Sequence, residues 1–409
     1  MTSTSDPGCD NHITALAPEL WTEIFEAAAY VPGALQSESY DPFGRVIPLP
    51  QDEEVAAVKQ ANSTAQSLTL VCRRWRELAS PILYRIVVAE GTEGLQRLHR
   101  TLVSDFQTSD VGPSLRASVR RFICVLATPG DPQPPDLKLL AELINAMPAL
   151  VIFNLWSDNK YSILLSSKDV LSATASRGET LRVLHWTPGC EDAADVGEWR
   201  QMLSSLPNLR ILRHDWGPYL PEQISFPPLR LPHLTCSSWG DIQSAGRLTP
   251  EDELPALRTL EFRTHLPNVP SSICDNITSL LVPALEIDVR MHVKELLRKL
   301  PNLVHLVMWS PDWSFLPRAL SLPMIQKLGL SAWRTERSSD REYEDLFETL
   351  FSISAPELRV VRLIGWKEWS TLPLVAPQTV SRFQELARSR TFRVEDTDGR
   401  LLSDLLGLK

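Results

Sequence analysis

The residues able to do chemistry are eight histidines, six cysteines and fifty aspartates and glutamates spread over 409 residues, and their spacing assembles no catalytic centre. A zinc protease needs H-E-x-x-H on one helix face, a serine hydrolase presents its nucleophile in G-x-S-x-G, and phosphate-binding loops need clustered glycines. None of these patterns is present in the sequence. The cysteines Cys9, Cys72, Cys124, Cys190, Cys236 and Cys274 form no C-x-x-C pair, and no histidine stands at metal-finger spacing. They read as small buried hydrophobes in a reducing compartment. His185, His214 and His305 fall in or just beyond expected strands, where a half-buried sheet residue is a simpler role than a ligand. Chance carboxylate–histidine pairs arise in any fold, so the sequence indicates no enzyme, no cofactor and no metal.

Charge narrows the partners. The net charge is −9, and residues 1–63 carry ten of the acidic residues against only Arg45 and Lys59, so the remainder is close to neutral. No basic stripe with interleaved aromatics appears, which disfavours nucleic acid. No run of 18 or more apolar residues is available to span a membrane, and the N-terminus lacks the basic-then-apolar pattern of a signal peptide. The protein is expected to be cytoplasmic and/or nuclear. In that setting Asn62-Ser-Thr64 and Asn276-Ile-Thr278 are chance sequons.

Two stretches near the N-terminus must be positioned by helices. The first is L-A-P-E-L-W-T-E-I-F over 16–25, where Pro18 suits a first helical turn and Glu19 the positive end of the dipole; Leu20, Ile24 and Ala27 or Ala28 then make an apolar stripe. The second is S-L-T-L-V-C-R-R-W-R-E-L-A-S-P-I-L-Y over 67–84. Leu68, Val71, Cys72, Trp75, Leu78 and Ala79 share one face at 3.6 residues per turn. The spacing predicts one helix ending near Ala79, before Pro81, and a strand over 84–88.

Together the two stretches resemble the two ends of an F-box, the helical module by which substrate receptors dock on the Skp-type adaptor of cullin-RING ubiquitin ligases. The resemblance covers about a sixth of the chain. It departs from the family in having Pro18 one position late and in a long insertion between the two ends. It implies that Leu16, Pro18, Leu20, Ile24, Leu68, Val71, Cys72 and Trp75 are adaptor-facing or module-core residues. The insertion at about 31–50, with Pro32, Gly33, Pro42, Gly44, Pro48 and Pro50, reads as a disordered loop; 51–61 is expected to be a helix leading to the second stretch.

Beyond residue 84 a theme repeats: a helix-like stretch, a proline or polar residue, then L-x-x-L-x-L. The copies begin at Pro148, Glu179, Pro207, Pro255, Pro301, Pro323 and Pro356, with degenerate members at Pro232 and Pro283. Expected helices precede them at 136–146, 168–176, 196–205, 272–281, 293–300 and 342–351. Most of the intervals fall in or near the range of about 20 to 29 residues of leucine-rich repeats, which these units resemble without the usual asparagine or cysteine after the third leucine. A unit of this kind buries its apolar face only by stacking on neighbours. The fold class is therefore α/β: a small N-terminal helical F-box-like module at 14–83 after a disordered tail at 1–13, then an irregular leucine-rich-repeat-like solenoid of parallel strands with outer helices at 84–376, and a C-terminal cap at 377–409. A compact α/β domain of several βαβ units is the alternative. Segments 217–232, 309–317 and 332–340 read as protruding loops.

Seven tryptophans follow repeat strands: Trp156, Trp186, Trp216, Trp239, Trp309, Trp333 and Trp366. They either fill the turn left by the missing asparagine or form an aromatic ridge for a target, tryptophan being enriched among residues that dominate binding energy. The expected function is that of a substrate-recognition subunit, with a Skp-type adaptor and through it a cullin as partners at one end and an unknown target protein at the other. A repeat scaffold with no ligase role is the alternative.

Overall fold

The computed structural model describes residues 16–38, 40–43, 51–104, 112–126, 136–156, 168–187, 193–214, 227–239, 249–262, 270–283, 295, 297–332, 340–364 and 377–405. The chain divides into two compact units: residues 1–37 with 50–183, and residues 38–49 with 184–409. The first unit takes in both the helical segment and the first strands.

In the first unit α1 (Pro18–Ala28) opens with Pro18 in its first turn. Next come α2 (Gln51–Thr69) and α3 (Arg73–Leu83). The single helix expected over 67–79 is two helices. Leu70 and Val71 bond back only three residues, to Ser67 and Leu68, which closes α2. Cys72 is extended, and its Sγ accepts from Trp75 N at 3.4 Å, capping α3. The helix also runs past Pro81 to Leu83: one lost donor in the last turn is offset by burying Ile82 against Phe25 and Ala79. Three parallel strands follow in the order β1 (Ile86–Glu90), β2 (Arg121–Val125), β3 (Ile152–Trp156). The first starts two residues later than expected, and β2 was not expected at all. Val55 and Val58 of α2 pack on Ile123 and Trp156, so this helix covers one face of these strands.

β4 (Val183–Trp186) lies at the division. The second unit continues through β5 (Ile211–His214), β6 (Cys236–Trp239), β7 (Thr259–Phe262), β8 (Ser279–Pro283), β9 (His305–Ser310), β10 (Lys327–Ala332), β11 (Val360–Ile364) and β12 (Arg393–Glu395). Neighbours in the chain are neighbours in the sheet, all parallel. Helices Leu137–Ala146, Lys168–Ala175, Ala193–Ser204 and Asp340–Ser352 lie close to their expected bounds, and helix Pro377–Ser389 opens the C-terminal segment. The architecture is a parallel α/β repeat fold of the leucine-rich-repeat kind.

The repeated proline has a clear physical role. In Met147-Pro-Ala-Leu150, Leu206-Pro-Asn-Leu209, Leu231-Pro-His-Leu234, Leu254-Pro-Ala-Leu257, Leu300-Pro-Asn-Leu303, Leu322-Pro-Met-Ile325 and Ala355-Pro-Glu-Leu358, the fourth residue's N–H donates to the first residue's carbonyl at 3.0–3.4 Å. Proline is the second residue of each turn, where its fixed φ is already correct. The turn drops the anchor leucine into the core; Leu150, Phe153 and Leu155, or Leu303, Leu306 and Met308, are all at most 1% exposed.

Several expectations need correction here. Residues 279–281, assigned to a helix, form β8; the helix is only Ser271–Cys274. The anchor of that repeat is Ile277, followed by Leu280 and Val282, all buried, while Pro283 ends the strand instead of starting a repeat. Segment 309–317 does not protrude: Ser310 and Trp313 are fully buried, and Asp312 caps the short turn Trp313–Phe315. Most of 217–232 and 332–340 lies outside the described residues, as does the tail at 1–13. The C-terminal segment contributes β12 to the sheet beyond β11, with a final helix of only Leu402–Leu405.

The largest correction concerns the insertion. Within the first unit, Ala34 is 2% exposed and its carbonyl accepts from the buried Arg121 Nη1 at 2.8 Å. Within the second, Phe43 is 1% exposed. Residues 31–38 and 40–43 are ordered because a few apolar and charged side chains are spaced to reach the sheet; 44–50 lie outside the described residues.

Candidate functional site

Two surfaces stand out. In the helical module the core is formed by Phe25, Ala79 and Ile82, with Trp21, Leu68, Trp75 and Leu78 packed against it. The rings of Trp21 and Phe25 lie 4.9 and 4.8 Å from that of Trp75. The sequence stripe of Leu20, Ile24 and Ala27 or Ala28 is thus not the buried face of α1; Trp21, Phe25 and Ala29 are, also at i, i+4, i+8. Leu20 and Ile24 are each 46% exposed, Leu16 is exposed, and Val71 is 51% exposed in the turn between α2 and α3 beside the more exposed Leu70. Pro18 is exposed too. The eight residues singled out by resemblance therefore separate by environment: Leu16, Pro18, Leu20, Ile24 and Val71 face outward, Leu68 and Trp75 belong to the module core, and Cys72 is a half-buried helix cap.

The second surface is the sheet face of the second unit opposite the leucines. Period-two alternation places Arg213, Ser238, Glu261, Leu281, Val307, Gly329, Arg362 and Glu395 in one row across β5 to β12. Glu38 and residues 40–43 lie on this face. Glu38 pairs with Arg210. The Arg213 guanidinium is 4.7 Å from the Tyr40 ring centroid and hydrogen-bonds its phenol, and Arg213 Nη2 is 3.6 Å from Glu261 Oε2. Burial pushes the Tyr40 phenol far above its usual range, so it stays protonated.

Phe43 fills a pocket formed by Leu281, Val307 and Ile364. Its ring meets His305 edge-on at 5.5 Å and lies 4.0 Å from Lys327 Nζ; its carbonyl accepts from Arg362 Nη1 at 3.4 Å. Asp41 Oδ1 accepts from Phe43 N at 2.9 Å, fixing the turn that points the ring inward. Burial lowers the pKa of both His305 and Lys327, and each is lowered further by a neighbouring cation, Lys327 and Arg362 respectively.

The leucine and tryptophan patterns of the sequence do not point to this site. The usable signal was the charge at the positions between the leucines, Arg213, Glu261, Lys327 and Arg362, and the Tyr40-x-x-Phe43 spacing within an otherwise polar insertion. Of the seven tryptophans, Trp156 and Trp186 are buried, Trp186 packing 5.1 Å from Trp199, and Trp309 is half-buried. Those two indoles are packing residues and not part of a ridge; Trp216, Trp333, Trp366 and the side chain of Trp239 lie outside the described residues.

No family model matches the chain. Neither does any curated protein. Among solved structures it is similar to the leucine-rich-repeat-containing protein LegL7 from Legionella pneumophila, at 16% identity over 71% of this chain and 89% of that one, with a TM-score of 0.35. It is similar also to a protein from Bacteroides fragilis, at 11% identity over 83% of each chain, with a TM-score of 0.33. Among the described residues no three His, Cys, Asp or Glu side chains gather as a metal site, and no helix is long and apolar enough to cross a membrane.

Proposed function

We propose that this chain is a substrate-recognition subunit of a cullin-RING ubiquitin ligase, docking a Skp-type adaptor through its F-box-like helical module and a target protein through its repeats. Its mechanism is then proximity: two bound proteins are held at high local concentration while other subunits carry out ubiquitin transfer. The observation that carries the reading is the outward placement of Leu16, Leu20, Ile24 and Val71 on a module whose own core is already complete. Apolar side chains gathered on one small module and left wet are a cost unless a partner covers them. The repeat fold offers an extended surface of the kind used for protein interaction, which equally suits a scaffold without a ligase role.

Co-expression with a Skp-type adaptor tests the reading: a stoichiometric complex by gel filtration supports it, and separate elution of two folded proteins overturns the ligase role and leaves the scaffold.

A further inference from the structure

The face beneath Glu38 and residues 40–43 is built unlike a core. A surface that served only to be covered would be more stable lined with apolar residues, because burying charge costs desolvation that pairing only partly returns. Here Arg213 and Glu261 are 5% and 3% exposed, and Arg362 and Lys327 flank the Phe43 pocket. The covering segment has the look of a docked peptide: Glu38 on Arg210, Tyr40 on Arg213, and Phe43 in a pocket floored by Gly329. Its acids meet the cations that the face leaves beside it, Glu38 on Arg210 and Asp41 near Lys327 and His305, while Arg213 and Arg362 are paired within the face to Glu261 and Glu395. Its two aromatics, three residues apart, supply most of its described contacts.

We propose that this sheet face is the target-binding surface, that it takes an extended acidic segment carrying two aromatics three residues apart, and that residues 38–43 are a tethered stand-in which such a segment must displace. This deepens the receptor reading of the repeats and rests on it, but not on adaptor docking. Tethering gives the strap an effective concentration of order millimolar, so a target segment wins only with more contacts than the strap makes, or when the strap is drawn away.

The probe is a fluorescently labelled peptide of the chain's own sequence 36–43, Gln-Ser-Glu-Ser-Tyr-Asp-Pro-Phe, read by anisotropy against the full chain. The Tyr40→Ala/Phe43→Ala double variant, which vacates the face, should bind it at least ten times more tightly than wild type, and a peptide with both aromatics replaced by alanine should bind neither. A folded double variant that ignores the peptide, or a wild type that binds it equally, overturns the proposal. Should the double variant not fold, hydrogen exchange in the wild type decides: amides of 36–43 exchanging far faster than those of β9 and β10 support a strap that opens, and equal protection overturns it. Adaptor capture on the same variant separates the two readings, since capture retained without peptide binding sinks this inference alone.

Discussion

The ring of Phe43 lies directly over Gly329, and the missing side chain is what makes room for it: a Cβ on Gly329 would sit 3.2 Å from Phe43 Cδ1, 2.8 Å from Val307 Cγ2 and 2.9 Å from Ile364 Cδ1. All three are closer than ordinary contact. Gly329→Ala should therefore destabilise by about 1 to 3 kcal/mol through overpacking, read by urea denaturation, and should raise cleavage of the strap by a protease added to native protein. A variant as stable and as resistant as wild type would place Phe43 elsewhere.

Arg200 and Asp252 form a buried ion pair, 2.5 Å apart and 1% and 0% exposed at their side chains. Asp252 also accepts from Leu229 N and Thr249 N at 2.8 Å each, and Arg200 Nε donates to Pro227 O at 3.0 Å. The pair thus ties the helix Ala193–Ser204 to the turns on either side of β6. Asp252→Ala leaves the guanidinium short of its counter-charge and two amides short of an acceptor, and should cost about 3 to 5 kcal/mol. Replacing both residues by apolar ones of similar volume should cost less. A denaturation midpoint for Asp252→Ala within error of wild type would contradict the geometry.

His214 is 3% exposed, lies 4.8 Å from Trp199, and burial lowers its pKa to about 3. The unfolded chain takes up a proton near pH 6.5 that the folded chain refuses, so stability is complete above that pH and falls as pH drops from 6.5 toward 3. Between pH 6.5 and pH 5 the loss from this group is about 2 kcal/mol. His214→Leu should flatten the stability profile over that interval, and an unchanged slope would show that another group is responsible.

The parallel repeat fold was legible because each repeat states its own structure locally: proline at the second position of a turn, then leucines at fixed offsets. Where the local signal was mixed the reading slipped. Ile277 lacks a preceding proline, so the pattern around β8 reads as a helix, and Phe122-Ile-Cys124 has neither proline nor leucine to mark β2. The break between α2 and α3 was hidden since Cys72 fits an apolar helical stripe as well as a cap. The outward and inward faces of α1 carry equally apolar stripes, and only the aromatic contacts with Trp75 tell which is buried. The strap was unreadable for a different reason. Its composition is that of a disordered loop, and only long-range contacts from Glu38, Tyr40 and Phe43 to residues much later in the chain give it a place. Composition alone predicts that replacing 31–50 by a short Gly-Ser linker leaves stability nearly unchanged; because Ala34 and Phe43 are buried, that replacement should instead lower the melting temperature by several degrees.

The outward placement of Leu20 and Ile24 is the point on which the proposed function rests, and Leu20→Asp/Ile24→Asp tests it with little structural confusion, since exposed substitutions usually change stability by no more than about 0.5 kcal/mol each. The decisive measurement is the affinity of the purified full chain for a purified Skp-type adaptor, by calorimetry, for wild type and for this double variant. The account predicts a measurable affinity for wild type that falls at least a hundredfold in the variant at an unchanged melting temperature; equal affinity in both, or none in either, would contradict it.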